Sequence, residues 1–300
     1  MFRKSIAVVF VLFLIANVLA ACGGDRGGQK VGIEVVADFQ QPVIDGVEVI
    51  GYGAAAFRKE DVELRDAFNA ELEKLKQSGE LLELLEQNGF SETELPDERT
   101  MEQLCDGNHQ PLGGGDTLQR ALETGTITIG YANEKPYAYE ENGEMRGEAI
   151  DIATTIFHRL GIENVEGQLV AWDTLIPGLQ AGRFDVITAG MYITPERCQQ
   201  VIFAEPEYKI GEALAVAEGN PHQLYSYEDI AANPDVTIAV MQGAIEVEYL
   251  LAAGVSQNQI QQVPDQAAAL AALESGRVDA ITMTTLSMKS ILESAGYTGD

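Results

Sequence analysis

The sequence predicts an α/β protein built from two similar lobes, and three observations carry that expectation. First, residues 178–188 (GLQAGRFDVIT) recur as residues 272–282 (ALESGRVDAIT), with six of the 11 positions identical and in register. Each copy reads as a helix closed by a glycine and followed by a short β-rich strand. Second, each copy is preceded by a strand that opens a unit, residues 126–130 (TITIG) and 236–240 (VTIAV). Third, each unit holds further helices, 148–160 with Ile152, Ile156 and Leu160 on one stripe, and 245–253. Strands alternating with helices make parallel sheets. Two such lobes face each other across a cleft, where folds of this kind hold ligands.

Taken from the start, the chain opens with Arg3 and Lys4 before an uncharged apolar run over residues 5–21, a signal-peptide pattern. The run ends in Leu19-Ala20-Ala21-Cys22 and resembles a bacterial lipobox, with Cys22 as the lipidated first residue of the mature chain. A plain membrane anchor is the alternative, but the run is short and ends in small residues. Residues 22–31 then form the lipidated cysteine and a flexible tether. The location expected is extracytoplasmic, at the periplasm or cell surface, held to the membrane by lipid.

Lysine and arginine number 19 against 47 acids, a net charge of −28. Such a surface repels nucleic acid and suits a salty exterior that screens it. With Cys22 taken by lipid, Cys105 and Cys198 remain, either bridged or as two buried thiols. The three histidines, His109, His158 and His222, share no metal-ligand spacing, so neither metal nor cofactor is expected. There is no phosphate-binding G-x-x-x-x-G-K-[ST] and no G-x-S-x-G elbow, so any ATPase is a separate subunit. Gly51–Ala56 fits a loose dinucleotide pattern, but a buried strand explains it better because no helix follows. Phe68, Leu72 and Leu75 then share one face of a helix, and a second helix from Glu80 is capped at Gly89.

The stretch 189–198 (AGMYITPERC) breaks a local rule. Thr194 is a natural N-cap and Pro195 a natural first helical residue. Arg197 falls in the first turn, where the helix dipole disfavours a cation. Such a violation at a strand-to-helix junction marks function: an arginine beside free N–H groups receives a carboxylate. A surface arginine paired with Glu196 is the plain alternative.

Residues 116–300 resemble the type 2 periplasmic solute-binding proteins of ABC importers, the ectoine/hydroxyectoine-binding branch most of all. The resemblance rests on residues 129–139 (IGYANEKPYAY), 147–153 (GEAIDIA), 175–186 (LIPGLQAGRFDV) and 189–198. It implies a two-lobed type 2 periplasmic-binding-protein fold, two Rossmann-like lobes joined by a hinge. It also implies a monomeric receptor that is not an enzyme and that hands its solute to an ABC permease and its ATPase.

The order of the pieces departs from the family. In relatives the segment resembling residues 38–105 comes last, whereas here it precedes the rest, which predicts a circularly permuted chain. Lobe 1 is then 44–105 plus 116–219, lobe 2 is 220–300 plus 32–43, and 106–115 bridges the old ends. Permutation is cheap where termini meet at the surface. An unrelated helical domain over 34–105 is the alternative, and an engineered or assembled gene would give the same order. If the chain is permuted, the strand around 47–53 shares a sheet with 127–130, and Asp300 lies near Gly32.

The same resemblance assigns the site. Tyr137, Trp172 and Tyr192 match an aromatic box, Glu134 the acceptor for an amidinium, and Arg197 the carboxylate clamp. Trp172 precedes a helix expected to be capped by Asp173. Gly243 and Ala244, with Ile245, are expected to present backbone N–H groups at a helix start in lobe 2. Amino-acid-binding relatives place an aspartate five residues after the position of Asp279, to hold an ammonium group; this chain has Thr284. The ligand implied is a zwitterion with a ring cation, ectoine or hydroxyectoine. The rivals are a polar amino acid or betaine-type solute, and a dehydratase-like enzyme on the same fold.

Overall fold

A computed structural model of the chain describes residues 32–44 and 46–297. The signal peptide, Cys22, the tether and Asp300 lie outside the described residues. Two five-stranded sheets organise everything else, and they share one strand plan. In lobe 1 the order is Ile202–Phe203, Ala56–Phe57, Val186–Ile187, Thr126–Tyr131, Asn164–Leu169. In lobe 2 it is Ile33–Val35, Glu212–Ala217, Ala280–Thr284, Ile238–Met241, Ile260–Val263. Within each sheet the last three strands run parallel, and the second opposes its neighbours.

The sequence repeat has a physical cause in these sheets. Asp185 Oδ2 accepts bonds from the Thr128 amide (3.1 Å) and hydroxyl (2.9 Å). Asp279 Oδ2 accepts the same pair from Thr237, at 2.8 and 3.0 Å. In both lobes an aspartate before the third parallel strand thus pins it to the first. The glycine of each copy, Gly182 and Gly276, has a positive φ just past its helix, where a Cβ would be strained.

The N-terminal segment shares these cores. Phe68, from the helix Val62–Ser78, packs edge-on between Phe57 (5.5 Å) and Phe157 (5.7 Å) of lobe 1. Leu72 and Leu75, on the same face, are fully buried. An independent helical domain over 34–105 is therefore not what forms. Residues 112–115 of the glycine-rich connection fold back on lobe 1, the Leu112 and Gly113 amides donating to the Lys59 carbonyl and the Gly115 amide to the Glu60 carbonyl.

Two expectations are corrected. The strand Gly51–Gly53 pairs with Tyr208–Ile210 in a small sheet of its own, and Ala56–Phe57, just beyond, joins Thr126–Tyr131 through Val186–Ile187. Glu212–Ala217 belongs to lobe 2, because it pairs with Ala280–Thr284 and Ile33–Val35. The lobes therefore divide at Gly211 and not after residue 219. The two chain crossings between lobes run near Gly51 and near Gly211, beside each other through the Gly51–Gly53/Tyr208–Ile210 ladder.

Candidate functional site

The loops that leave the parallel strands meet between the lobes, where open α/β sheets place ligands. After Thr126–Tyr131 a tight turn closes between Glu134 and Ala138, the Glu134 amide donating to the Ala138 carbonyl at 2.8 Å. After Val186–Ile187, Gly190 and Tyr192 lead into the one-turn helix Pro195–Cys198. Thr194 caps it, its hydroxyl accepting the Arg197 amide at 3.2 Å, with Pro195 at the start.

Arg197 sits at this helix because its side chain looks backward and across. Nη1 donates to the Tyr192 carbonyl (3.0 Å) and Nη2 to the Gly243 carbonyl of the other lobe (3.3 Å). The guanidinium stands 5.9 Å from the Trp172 ring centre, within cation–π range. Trp172 Nε1 donates to the same Gly243 carbonyl at 3.1 Å. Gly243 has φ +78°, and a Cβ there would lie 3.2 Å from Asp173 Cβ. A glycine is thus required both by conformation and by the approach of lobe 1. Asp173 accepts a bond from Gln242 Nε2 (2.9 Å) instead of capping the following helix, Leu175–Gln180, which shows no side-chain cap.

Between the lobes lies a narrow cavity, in the place where two-lobed folds of this kind hold a small solute. Glu134, Trp172, Tyr192, Arg197, Ala244 and Thr284 line it, six of the eight expected ligand residues. Tyr137 does not. It is fully buried behind the wall, stacked on Tyr208 (5.0 Å between centroids, 26° between planes) and edge-on to Phe90 (5.6 Å). Its hydroxyl donates to Thr284 Oγ1 at 2.8 Å, a bond from lobe 1 to lobe 2. Gly190, at φ +68°, holds Tyr137 there by allowing the backbone against the ring.

Lobe 2 also departs from expectation. The Ala244 amide donates to the Met241 carbonyl (3.1 Å), so Ala244 offers the cavity its side chain and not its N–H. Gly243 contributes its carbonyl to the clasp. Thr284 does double duty: its hydroxyl accepts from Tyr137 and caps the helix Thr285–Ser294 through the Ser287 amide (3.2 Å).

Sequence reasoning missed Gly190, Met241 and Glu246 in the lining, and Glu212 behind it. Glu246 and Glu212 read as ordinary solvated acids, and no local pattern distinguishes them. In the structure both are buried, as is Glu134. Burial, then the charge of Glu246, pushes Glu134 up to about 8, while Arg197, Gln266 and Ser287 pull the other way. Burial raises both Glu212 and Glu246; Glu246 pushes Glu212 up further, whereas a hydrogen bond from Glu212 and the charge of Arg197 pull Glu246 back. Tyr192 donates to Glu212 Oε1 at 3.4 Å. Glu134 and Glu246 thus share one guanidinium, with Glu212 beside Glu246, and buried like charges cannot all ionise together.

Cys105 and Cys198 form a disulfide, tying the end of the N-terminal segment to the residue after Arg197. Among the described residues no cluster of acids, histidines or cysteines could hold a metal, and no helix is long and apolar enough to cross a membrane.

Comparison with known proteins agrees with this architecture. The family described as bacterial extracellular solute-binding proteins, family 3, matches residues 127–259. A probable amino-acid ABC transporter periplasmic-binding protein of Sinorhizobium fredii is 42% identical over 172 residues, 56% of this chain and 57% of that protein. A probable histidine-binding protein of Campylobacter jejuni is 30% identical over 173 residues, 57% of this chain and 65% of that protein. This chain therefore spans less than two thirds of the length of either curated relative. Among solved structures, EhuB in complex with hydroxyectoine is 39% identical, with a TM-score of 0.58 over 60% of this chain and 70% of that one. An ancestral amino-acid-binding protein, a precursor of cyclohexadienyl dehydratase, is 32% identical, with a TM-score of 0.53 over 60% of this chain and 78% of that one.

Proposed function

The chain belongs to the bacterial extracellular solute-binding proteins, family 3, and we propose that it captures ectoine or hydroxyectoine between its lobes and delivers it to an ABC permease. The single observation that carries this is that Arg197 and Glu134 line one cavity together with Trp172 and Tyr192. A carboxylate meets the guanidinium, and a delocalised ring cation meets the indole and phenol faces and the Glu134 carboxyl. Thr284, where amino-acid binders place an aspartate, leaves no acid at that position for a primary ammonium. The likeness to EhuB with hydroxyectoine favours the same ligand.

Binding is a population shift: a ligand that touches both lobes favours the closed form over an open one, and nothing is chemically changed. Lipid attachment at Cys22 would keep the receptor near its permease. We also propose that the chain is circularly permuted. Ile33–Val35 completes the lobe 2 sheet and Ala56–Phe57 the lobe 1 sheet, although both precede the rest of their lobes in sequence.

A second reading, a polar amino acid, is favoured by one observation: the additional buried acids Glu212 and Glu246 suit an ammonium or guanidinium group. A thermal-shift panel of ectoine, hydroxyectoine, glycine betaine, arginine and glutamine separates the two. Stabilisation by an amino acid alone would overturn the ectoine assignment, and a mass change in any bound solute would point to an enzyme.

A further inference from the structure

Glu246 opens the helix Glu246–Ala252, is 5% exposed and lines the cavity, yet the roles assigned above leave it without a task. Each lobe presents groups to it. Glu134 faces it from the turn after the first lobe 1 strand, and Arg197 from the helix Pro195–Cys198. Glu212 faces it from the strand Glu212–Ala217, Tyr192 from the loop before Arg197, Tyr227 from the helix Tyr227–Ala232, and Tyr249 from its own helix. Glu134 Oε2 and Glu212 Oε2 are buried without a hydrogen-bond partner, and Glu134, 6% exposed, lines the cavity.

We propose that Glu246 is a ligand-binding residue, the lobe 2 acceptor that works opposite Glu134 of lobe 1. The cavity then takes a monocarboxylate whose delocalised cation carries two diverging N–H groups, one donated to each carboxyl. This rests on the ectoine reading and deepens it. A buried acceptor without a donor is costly: Glu134 Oε2 has none on the lobe 1 wall, and on the lobe 2 side Glu212 Oε2, next to the cavity-lining Glu246, has none either. A quaternary ammonium has no N–H and satisfies neither. A primary ammonium directs all its donors from one atom. A ring amidinium holds its two N–H groups in one plane and points them away from each other, which fits acceptors that come from opposite lobes.

The arrangement couples recognition to closure, because the cation is fully satisfied only when both lobes reach it. It also couples binding to a proton. Glu212 and Glu246 lie side by side and hold a proton between them when no cation is present. A bound cation favours the ionised pair, and the proton leaves to solvent.

Titration calorimetry of the full chain at pH 7, in two buffers of different ionisation heat, tests the proposal with ectoine as the probe. Wild type is expected to bind ectoine with release of a proton. Glu246→Gln, which keeps side-chain size and mimics the protonated form, is expected to weaken ectoine binding about 10- to 100-fold, the loss of one charge-assisted hydrogen bond. It is also expected to reduce the number of protons released, leaving the share that comes from Glu134, which a purely structural residue would not change. Where Glu246→Gln lowers folding stability, Glu246→Asp replaces it, with weaker binding but proton release retained. Ectoine affinity within twofold of wild type in Glu246→Gln, with proton release intact, overturns the proposal. Failure of wild type to bind ectoine while it binds arginine or histidine overturns the ectoine reading alone. The same two variants titrated with that amino acid then decide the role of Glu246: unchanged affinity and unchanged proton release overturn it.

Discussion

Removing the Cys105–Cys198 bridge is expected to cost this protein several kcal/mol of stability. The two cysteines are 93 residues apart in sequence and both are fully buried. The bridge acts mainly on the unfolded chain, whose loop it keeps closed. For a loop of this length the closure entropy corresponds to about 4.6 kcal/mol at 25 °C. A chain of this size shifts its melting temperature by roughly 2 °C per kcal/mol, so the Cys105→Ala/Cys198→Ala variant should melt about 9 °C lower. Differential scanning calorimetry of both proteins measures the shift, and intact mass under non-reducing conditions confirms the bridge in wild type. The bridge also sets one side of the site, because Cys198 follows Arg197 and the helix is a single turn. The variant should therefore bind ligand more weakly, but by less than an Arg197 substitution, since Thr194 and the Tyr192 carbonyl still hold the guanidinium. A shift below about 2 °C in a protein with the bridge demonstrably formed would refute the loop-entropy reasoning.

Arg197→Met keeps much of the aliphatic bulk and removes the charge; ectoine affinity by calorimetry should fall about 100-fold or more, as loss of charge-assisted bonds to a carboxylate requires. Trp172, the only tryptophan, lines the cavity, so its emission should change on ligand addition, and a flat titration with binding proven independently would place the indole outside the site. Glu134 and Glu207 are both raised to about 8 by burial. A carboxyl raised in the folded state stabilises fully below its unfolded value near 4.5, and that stability is lost as pH rises through about 8. Thermal stability without ligand should therefore fall between pH 5 and pH 9, and a rise over that range would contradict the burial of these acids. Gly243→Ala forces a Cβ toward Asp173 at φ +78°; the strain of about 1–3 kcal/mol should lower the melting temperature of the unliganded protein and, through the crowding of Asp173, weaken ligand binding.

Much of the architecture was legible because it depends on local pattern. The repeat at residues 178–188 and 272–282 marked two equivalent lobes, since the aspartate that pins parallel strands and the glycine that ends a helix are local requirements. Thr194, Pro195 and Arg197 could be read together for the same reason: capping is decided within one turn. The eight expected ligand residues fall around one cleft, six of them in its lining. Tyr137 was misplaced because its position depends on Gly190, Phe90 and Tyr208, which come from three distant parts of the chain.

By itself, then, the sequence determined the α/β class, the twofold plan, the arginine at a helix start and the glutamate and aromatics that accompany it. Only the tertiary structure decided where the lobes divide, which side chains face the cavity, and that Glu212 and Glu246 are buried beside Glu134. The physical reason is range. Helix caps, turns and strand patterns are set by neighbours in the chain, whereas the cost of burying a charge is set by whatever the other lobe brings to it, and no window of sequence contains both lobes at once.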